Sequence, residues 1–223
     1  LSPLHVRHTT IRLPDALPFE EAVFIESLAC CLRAVRRAGV RQGDLVWIIG
    51  AGSSGLLLAL SALSCHAHVV VSELNPARLA LARELGAHIT AHPLQEDLPE
   101  IIRTASEGRG ADVVIPTVLS AKILQGAMGS VRAGGTVLLY AGEPAQAERP
   151  LDMYGLWRHE VNLVSSYSPD PASLADAYDL IAHHSLHLAR IVSHQVPLTA
   201  PEEAIRMAVN GEASKVIIRI ADG

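Results

Sequence analysis

The chain has 223 residues, of which 49% are hydrophobic and 18% charged, so it can bury a sizeable core and is not expected to be disordered. Its formal net charge of −5 comes with no basic stripe, which argues against a nucleic-acid partner. No apolar run is long enough for a membrane span, residues 1–7 do not resemble a signal peptide, and the three cysteines form no C-x-x-C pair. We therefore expect a cytoplasmic protein with reduced thiols.

The first elements along the chain are a loop and a helix. Three prolines fall within residues 1–19, for which we expect an extended, irregular path. A helix is predicted over residues 20–37, because acidic side chains at its start and Arg36 and Arg37 at its end suit the helix dipole.

The remainder of the chain alternates strands with helices. Mostly short apolar runs predict strands at 45–49, 69–71, 88–90, 113–115, 136–140 and 161–167. Helices are predicted at 54–65, 76–85, 98–107 and 121–131, with a turn at the glycine pair 134–135. Later elements are predicted as a helix near 171–183, a strand near 191–196, a helix over 201–209 and a strand over 215–220. This alternation is typical of βαβ units and predicts an α/β fold with a parallel sheet.

A glycine-rich segment joins the first predicted strand to the next helix. Gly50, Gly52 and Gly55 form G-x-G-x-x-G in the strand–loop–helix context that this motif requires. The first glycine permits a tight turn, the second lets backbone approach a pyrophosphate, and the third lets the helix pack against the strand. Unpaired N–H groups of the helix start, which includes Ser53 and Ser54, would then bind the anion.

An acidic residue, Glu73, ends the second predicted strand, 23 positions after Gly50. A carboxylate there would accept hydrogen bonds from both ribose hydroxyls and repel a 2′-phosphate, which favours NAD over NADP. Arg78, one helical turn further on, could stack on adenine or contact a 2′-phosphate. The same pattern also fits a plain glycine-rich turn beside solvated charges, or a methyltransferase that binds S-adenosylmethionine. Gly55 and the long helix after it favour the dinucleotide.

Four further segments carry a resemblance to a known family. They are residues 26–44 (E-S-L-A-C-C-L-R-A-V-R-R-A-G-V-R-Q-G-D), 75–87 (N-P-A-R-L-A-L-A-R-E-L-G-A), 132–137 (R-A-G-G-T-V) and 211–218 (G-E-A-S-K-V-I-I). Together they resemble the medium-chain dehydrogenase/reductase family of zinc-type alcohol dehydrogenases, above all its polyol and threonine dehydrogenase branch. The likeness runs from residue 13 to residue 220.

The resemblance implies a specific architecture and reaction. It implies a doubly wound, six-stranded parallel sheet (a Rossmann domain) over 26–168 with strand order 3-2-1-4-5-6. Residues 1–25 would be a remnant of a GroES-like catalytic domain, toward which residues 169–223 would return. The family enzyme transfers hydride from an alcohol or polyol to NAD, with zinc polarising the substrate oxygen. The strand at 161–167 would lie at a sheet edge and pair with its twin in a homodimer.

The resemblance also places residues around the cofactor and the metal. Thr117 would lie beside the cofactor, although Pro116 and Val118 depart from the family pattern and Val118 would crowd the cleft. Ala141 and Gly142 would lie near the nicotinamide. Glu26 falls at the third zinc position of the polyol branch, but one carboxylate cannot hold zinc alone, and the alternative is a charge at a helix N-terminus.

We therefore expect this chain to hold the NAD(H)-binding portion of such an enzyme, with zinc not held and little or no turnover by the chain alone. No catalytic residue is assigned. The alternative from another class is a non-catalytic cofactor-binding or dimerisation module. The histidines His183, His184 and His187 could chelate a metal at a helix end, but an exposed helix C-terminus explains their spacing as well.

Overall fold

A computed structural model describes residues 2–142, 151–183 and 186–220. The chain divides into two compact units. One unit is Cys30–Pro169, and the other combines Leu1–Ala29 with Asp170–Gly223. No helix in the described ranges combines the length and the apolar character needed to cross a membrane.

A six-stranded sheet forms the centre of the first unit. Its strands are β1 (Leu45–Ile49), β2 (His68–Ser72), β3 (Ile89–Ala91), β4 (Ala111–Pro116), β5 (Val131–Leu139) and β6 (Asn162–Ser165). They lie in the order β3-β2-β1-β4-β5-β6, and every neighbouring pair is parallel. The α/β class and the predicted strand order are therefore confirmed. The order reverses between β1 and β4, where open sheets of this kind form a crevice at the carboxyl ends of their strands.

Helices connect the strands of the first unit. The helices of both units are α1 (Pro3–Thr9), α2 (Phe19–Ala22), α3 (Ile25–Ala38), α4 (Ser53–Ser64), α5 (Pro76–Glu84), α6 (Leu98–Ala105), α7 (Ala121–Ser130), α8 (Met153–Arg158), α9 (Pro171–His183) and α10 (Pro201–Val209). A 3-10 turn (Leu188–Ile191) precedes β7 (His194–Pro197), which pairs in parallel with β8 (Val216–Arg219). The second unit contains α1, α2, α9, α10, this 3-10 turn and these two short strands. In the second unit the Glu21 carboxylate accepts hydrogen bonds from the amides of Leu188 and Ala189.

The central strands are buried on both faces. Val46 and Ile48 have no exposed surface and Trp47 is only 3% exposed, so β1 consists almost entirely of core. The Trp47 indole Nε1 donates to the Ser72 hydroxyl at 3.1 Å, so the one polar atom of this ring has a partner on β2. Burial of apolar side chains at about 25 cal/mol per Å² is the main stabilising contribution of such a sheet.

A buried carboxylate ties three strands together near their amino ends. Asp112 on β4 accepts a hydrogen bond from the Leu45 amide at 2.7 Å and pairs with the Arg132 guanidinium on β5. Its side chain is only 7% exposed. The charge is tolerated there because it has both a backbone donor and a cation.

Several sequence predictions differ from the structure in detail. The predicted irregular stretch contains α1, which begins at Pro3, a residue type that suits the first position of a helix. The predicted helix 20–37 is two helices, α2 and α3, and Phe24 between them is fully buried. The glycine pair 134–135 falls within the bounds of β5, at an irregularity in its pairing with β4 where Gly134 has a φ of +69°. The edge strand β6 has four residues and not seven, and residues near 191 form the 3-10 turn before β7.

Two histidines stack at the start of β2 and β3. The rings of His68 and His88 are 4.2 Å apart between centroids, and His88 Nδ1 accepts a hydrogen bond from the Val69 amide. Partial burial, and then the charge of His88, lower the pKa of His68 below its ordinary value. The folded state thus disfavours the protonated His68 ring. The free energy of unfolding therefore keeps its full value above about pH 6.5, the pKa of an unperturbed histidine. It decreases as the pH falls through the lowered pKa of the folded state.

We predict that the substitution His68→Gln makes the protein less sensitive to acid. The fall in melting temperature between about pH 7.5 and about pH 5 should be smaller in this variant than in the wild type. His66→Asn, at an exposed histidine two positions earlier, is the control and should keep the wild-type fall. Equal falls in wild type and His68→Gln would contradict the assignment.

Candidate dinucleotide site

The glycine-rich loop lies at the carboxyl end of the central strand. β1 ends at Ile49 and α4 begins at Ser53, so the loop joins strand to helix as the motif requires. The Gly50 amide donates to the Ser72 carbonyl of β2 at 2.7 Å, which holds the loop against the neighbouring strand. The first amides of α4 have no acceptor within their own helix, so its N-terminus can bind an anion.

Each glycine of the loop meets a different environment. Gly50 has a φ of +102°, and a Cβ there would overlap the Thr117 hydroxyl. A Cβ on Gly55 would overlap the Gly50 carbonyl oxygen, so this glycine lets α4 approach the turn closely. Gly52 has open space within 4 Å of its would-be Cβ. Gly50 and Gly55 are thus needed for packing, whereas the space beside Gly52 is open.

The Glu73 carboxylate lies against the same loop. One oxygen accepts a hydrogen bond from the Ala51 amide at 2.8 Å, and the other accepts from the Asn75 amide at 2.9 Å. A carboxylate has about four lone-pair positions, so acceptor capacity remains for sugar hydroxyls. The Asn75 side chain caps α5 by accepting from the amides of Ala77 and Arg78. Arg78 is half-buried in the first turn of that helix.

The other predicted cofactor contacts follow β4 and β5. Thr117 comes directly after β4 and is half-buried, and its hydroxyl donates to the Ile49 carbonyl at 2.9 Å. Val118 is 52% exposed. Ala141 and Gly142 come shortly after β5. Most of the other predicted cofactor positions therefore follow the carboxyl ends of β1, β2, β4 and β5, while Ser53, Ser54 and Gly55 lie in the first turn of α4 and Arg78 in the first turn of α5.

Three contacts in this part of the structure are not predicted by the sequence. The first is the hydrogen bond between Glu73 and the Ala51 amide, and the second is the anchoring of Thr117 on Ile49. A third contact places the Tyr140 hydroxyl 3.4 Å from the Cys31 sulfur. No local sequence signal indicates contacts between positions this far apart in the chain.

The side chains considered as metal ligands are Glu26 and the histidines near the end of α9. Within the described ranges, no three or more His, Cys, Asp or Glu side chains come together in a way that could hold a metal. Glu26 is exposed in the first turn of α3, where the Ser27 hydroxyl lies 3.4 Å from its carboxylate. His183 ends α9 and His187 precedes the 3-10 turn, while His184 lies outside the described residues. The described residues therefore do not fit a zinc ion by themselves.

Comparison with known proteins identifies the family. Residues 54–183 match the sequence model of a protein family that is described as zinc-binding dehydrogenase. The chain belongs to the zinc-binding dehydrogenase family. Sorbitol dehydrogenase of Bacillus subtilis (strain 168) is 29% identical over 213 residues, which cover 92% of this chain and 59% of that protein.

Solved structures agree in fold. Alcohol dehydrogenase TADH from Thermus sp. ATN1 matches with a TM-score of 0.89 and 27% identity, over 97% of this chain and 63% of that chain. A protein from Sinorhizobium meliloti 1021, described as a zinc-binding dehydrogenase and bound to NADP, matches with a TM-score of 0.80 and 29% identity, over 86% of this chain and 57% of that chain. The chain thus spans roughly three-fifths of the length of these relatives.

The unequal surroundings of two loop glycines predict unequal effects of an added methyl group. Gly55→Ala should lower the free energy of unfolding by more than about 2 kcal/mol, because its Cβ meets backbone that cannot move cheaply. Gly52→Ala should cost less than about 1 kcal/mol, because its Cβ meets nothing. Urea unfolding of both variants provides the comparison. Equal losses would mean that the close contact between α4 and the Gly50 turn is not present.

Proposed function

We propose that the crevice beside β1 binds a nicotinamide dinucleotide, with the diphosphate at the N-terminus of α4. The observation that carries this proposal is the Glu73 carboxylate, whose oxygen accepts from the Ala51 amide inside the glycine loop. An acidic acceptor for sugar hydroxyls thus lies next to a cradle for the phosphates. Family membership supports the same ligand class and removes the methyltransferase alternative.

We further propose that NAD is preferred to NADP. Glu73 carries a negative charge where a 2′-phosphate would lie, and its two hydrogen bonds to backbone amides hold it in place. Arg78 would favour NADP instead, because a guanidinium binds phosphate well. The related structure bound to NADP shows that its protein takes the phosphorylated cofactor, so the preference of this chain rests on Glu73 and not on family membership.

The proposed activity of the complete protein is hydride transfer between NAD and the carbinol carbon of a secondary alcohol or polyol. A bound nicotinamide ring supplies the hydride acceptor. The chain's own part is to hold the dinucleotide through Gly50, Gly52, Ser53, Ser54, Gly55 and Glu73, with Thr117, Ala141 and Gly142 at the ends of β4 and β5. The name of the sorbitol dehydrogenase relative supports a polyol as the substrate class.

Zinc chemistry is not assigned to this chain. The described residues assemble no metal-binding group, so Glu26 would act as a ligand only together with ligands supplied elsewhere. The same observation favours the second candidate function, a cofactor-binding module without its own turnover. An assay of polyol oxidation beside a binding measurement separates the two, since the module would bind NADH without turning over substrate.

The assembly and the location are also proposals. β6 ends the sheet, and among the described residues of this region Tyr167 is 93% exposed and Leu163 36% exposed. An exposed edge strand can pair with a second copy of itself, so we propose a homodimer formed by sheet extension. The cytoplasmic location expected from the cysteine content stays a prediction.

We predict that Glu73→Ala weakens NADH binding at least about tenfold, a loss of roughly 1.4 kcal/mol or more. The reason is that the variant loses the acceptor for the ribose hydroxyls. NADPH binding should weaken less or improve, because the repulsion of the 2′-phosphate is also removed. Calorimetric titration of both dinucleotides measures the two changes.

A matched control is Glu203→Ala, which removes an exposed carboxylate on α10. Its affinities should equal those of the wild type. Unchanged NADH affinity in Glu73→Ala would remove the ribose role from Glu73, and a wild type that binds neither dinucleotide would overturn the proposed function itself.

A further inference from the structure

Thr117 donates two hydrogen bonds to the protein backbone. Its amide and its hydroxyl both donate to the carbonyl of Ile49, each at 2.9 Å. Ile49 is the last residue of β1, directly before the Gly50 turn. One residue at the end of β4 therefore holds the strand end from which the glycine loop departs.

The same side chain also packs against the glycine loop. A Cβ on Gly50 would overlap the Thr117 hydroxyl oxygen, and a Cβ on Gly55 would lie 3.6 Å from the Thr117 methyl carbon. The hydroxyl thus lies next to the first glycine and the methyl group faces the third. Thr117 touches the loop at both of the positions where glycine is needed for packing.

These contacts change the role expected of Thr117. The sequence predicts a side chain beside the cofactor, but the only hydrogen of the hydroxyl is directed to Ile49. We propose that Thr117 is a positioning residue for the diphosphate site, which it supports through the Ile49 carbonyl and the Gly50 turn. It does not act as a donor to the nicotinamide half. This inference rests on the proposed dinucleotide function.

The physical reason lies in the flexibility of the loop. Gly50 adopts a φ of +102° and, like any glycine, loses much conformational freedom when it is ordered. A second hydrogen bond onto the preceding carbonyl restricts that turn before the ligand arrives. The amides of α4 are then held in one arrangement, which lowers the cost of binding a diphosphate.

Two variants of Thr117 separate its hydroxyl from its methyl group. Thr117→Val keeps the volume and loses the donor, and it also presses a methyl group against Gly50. Thr117→Ser keeps the donor and loses the methyl group. Binding of NADH and of ADP to the full chain is measured for both variants, because ADP contains the diphosphate but lacks the nicotinamide half.

We expect Thr117→Val to weaken NADH and ADP by the same factor, about tenfold, and Thr117→Ser to stay within about threefold of the wild type for both ligands. A loss for NADH with unchanged ADP binding would indicate direct contact with the nicotinamide half and overturn the inference. Equal losses in the valine and serine variants, with equal falls in melting temperature, would indicate a merely structural role and overturn it as well.

The wild-type titrations distinguish failure of this inference from failure of the proposed function. A wild type that binds NADH and ADP, together with a Thr117→Val variant of unchanged affinity, would overturn only the role of Thr117. A wild type that binds neither ligand would overturn the dinucleotide function, and the inference would fall with it.

Discussion

The hydrogen bond between the Glu73 carboxylate and the Ala51 amide connects the two halves of the candidate site. It joins the end of β2 to the loop that follows β1, and both strands belong to the buried centre of the sheet. A carboxylate that accepts hydrogen bonds from two backbone amides keeps its direction in the absence of a ligand. The loop in turn carries the helix start where a diphosphate would bind. The proposed preference for NAD depends on this one contact more than on any other.

The parts of the site that sequence could predict are those with a local signal. Gly50, Gly52 and Gly55 were recognisable because strand, turn and helix occur in order around them, and Glu73 because a β2 carboxylate has a fixed place in that order. The strand order followed from the family resemblance and is confirmed. The anchoring of Thr117 on Ile49 could not be predicted, since it joins positions 68 residues apart through the register of β1 and β4.

The sequence prediction fails where a local signal disagrees with the packing of the folded chain. The sequence predicts one long helix through Phe24 because its neighbours suit a helix, whereas Phe24 is fully buried between α2 and α3. The sequence predicts a turn at the glycine pair 134–135, whereas Gly135 is buried and its Cβ would overlap the Asp112 carbonyl of β4. Close packing against β4 and within the irregular part of β5 explains that glycine.

The structure brings a glycine loop, a helix N-terminus and the Glu73 carboxylate together, and within its described residues no three or more His, Cys, Asp or Glu side chains form a group that could hold a metal. The chain spans roughly three-fifths of the length of the related dehydrogenases. The proposed diphosphate site at the N-terminus of α4 requires only residues of the Cys30–Pro169 unit.

Amide hydrogen exchange of the full chain, with and without saturating NADH, tests that proposed site most directly. The account predicts slower exchange at residues 52–55, because a bound diphosphate would accept hydrogen bonds from these amides. Binding of NADH with unchanged exchange at those residues, and protection elsewhere, would contradict it.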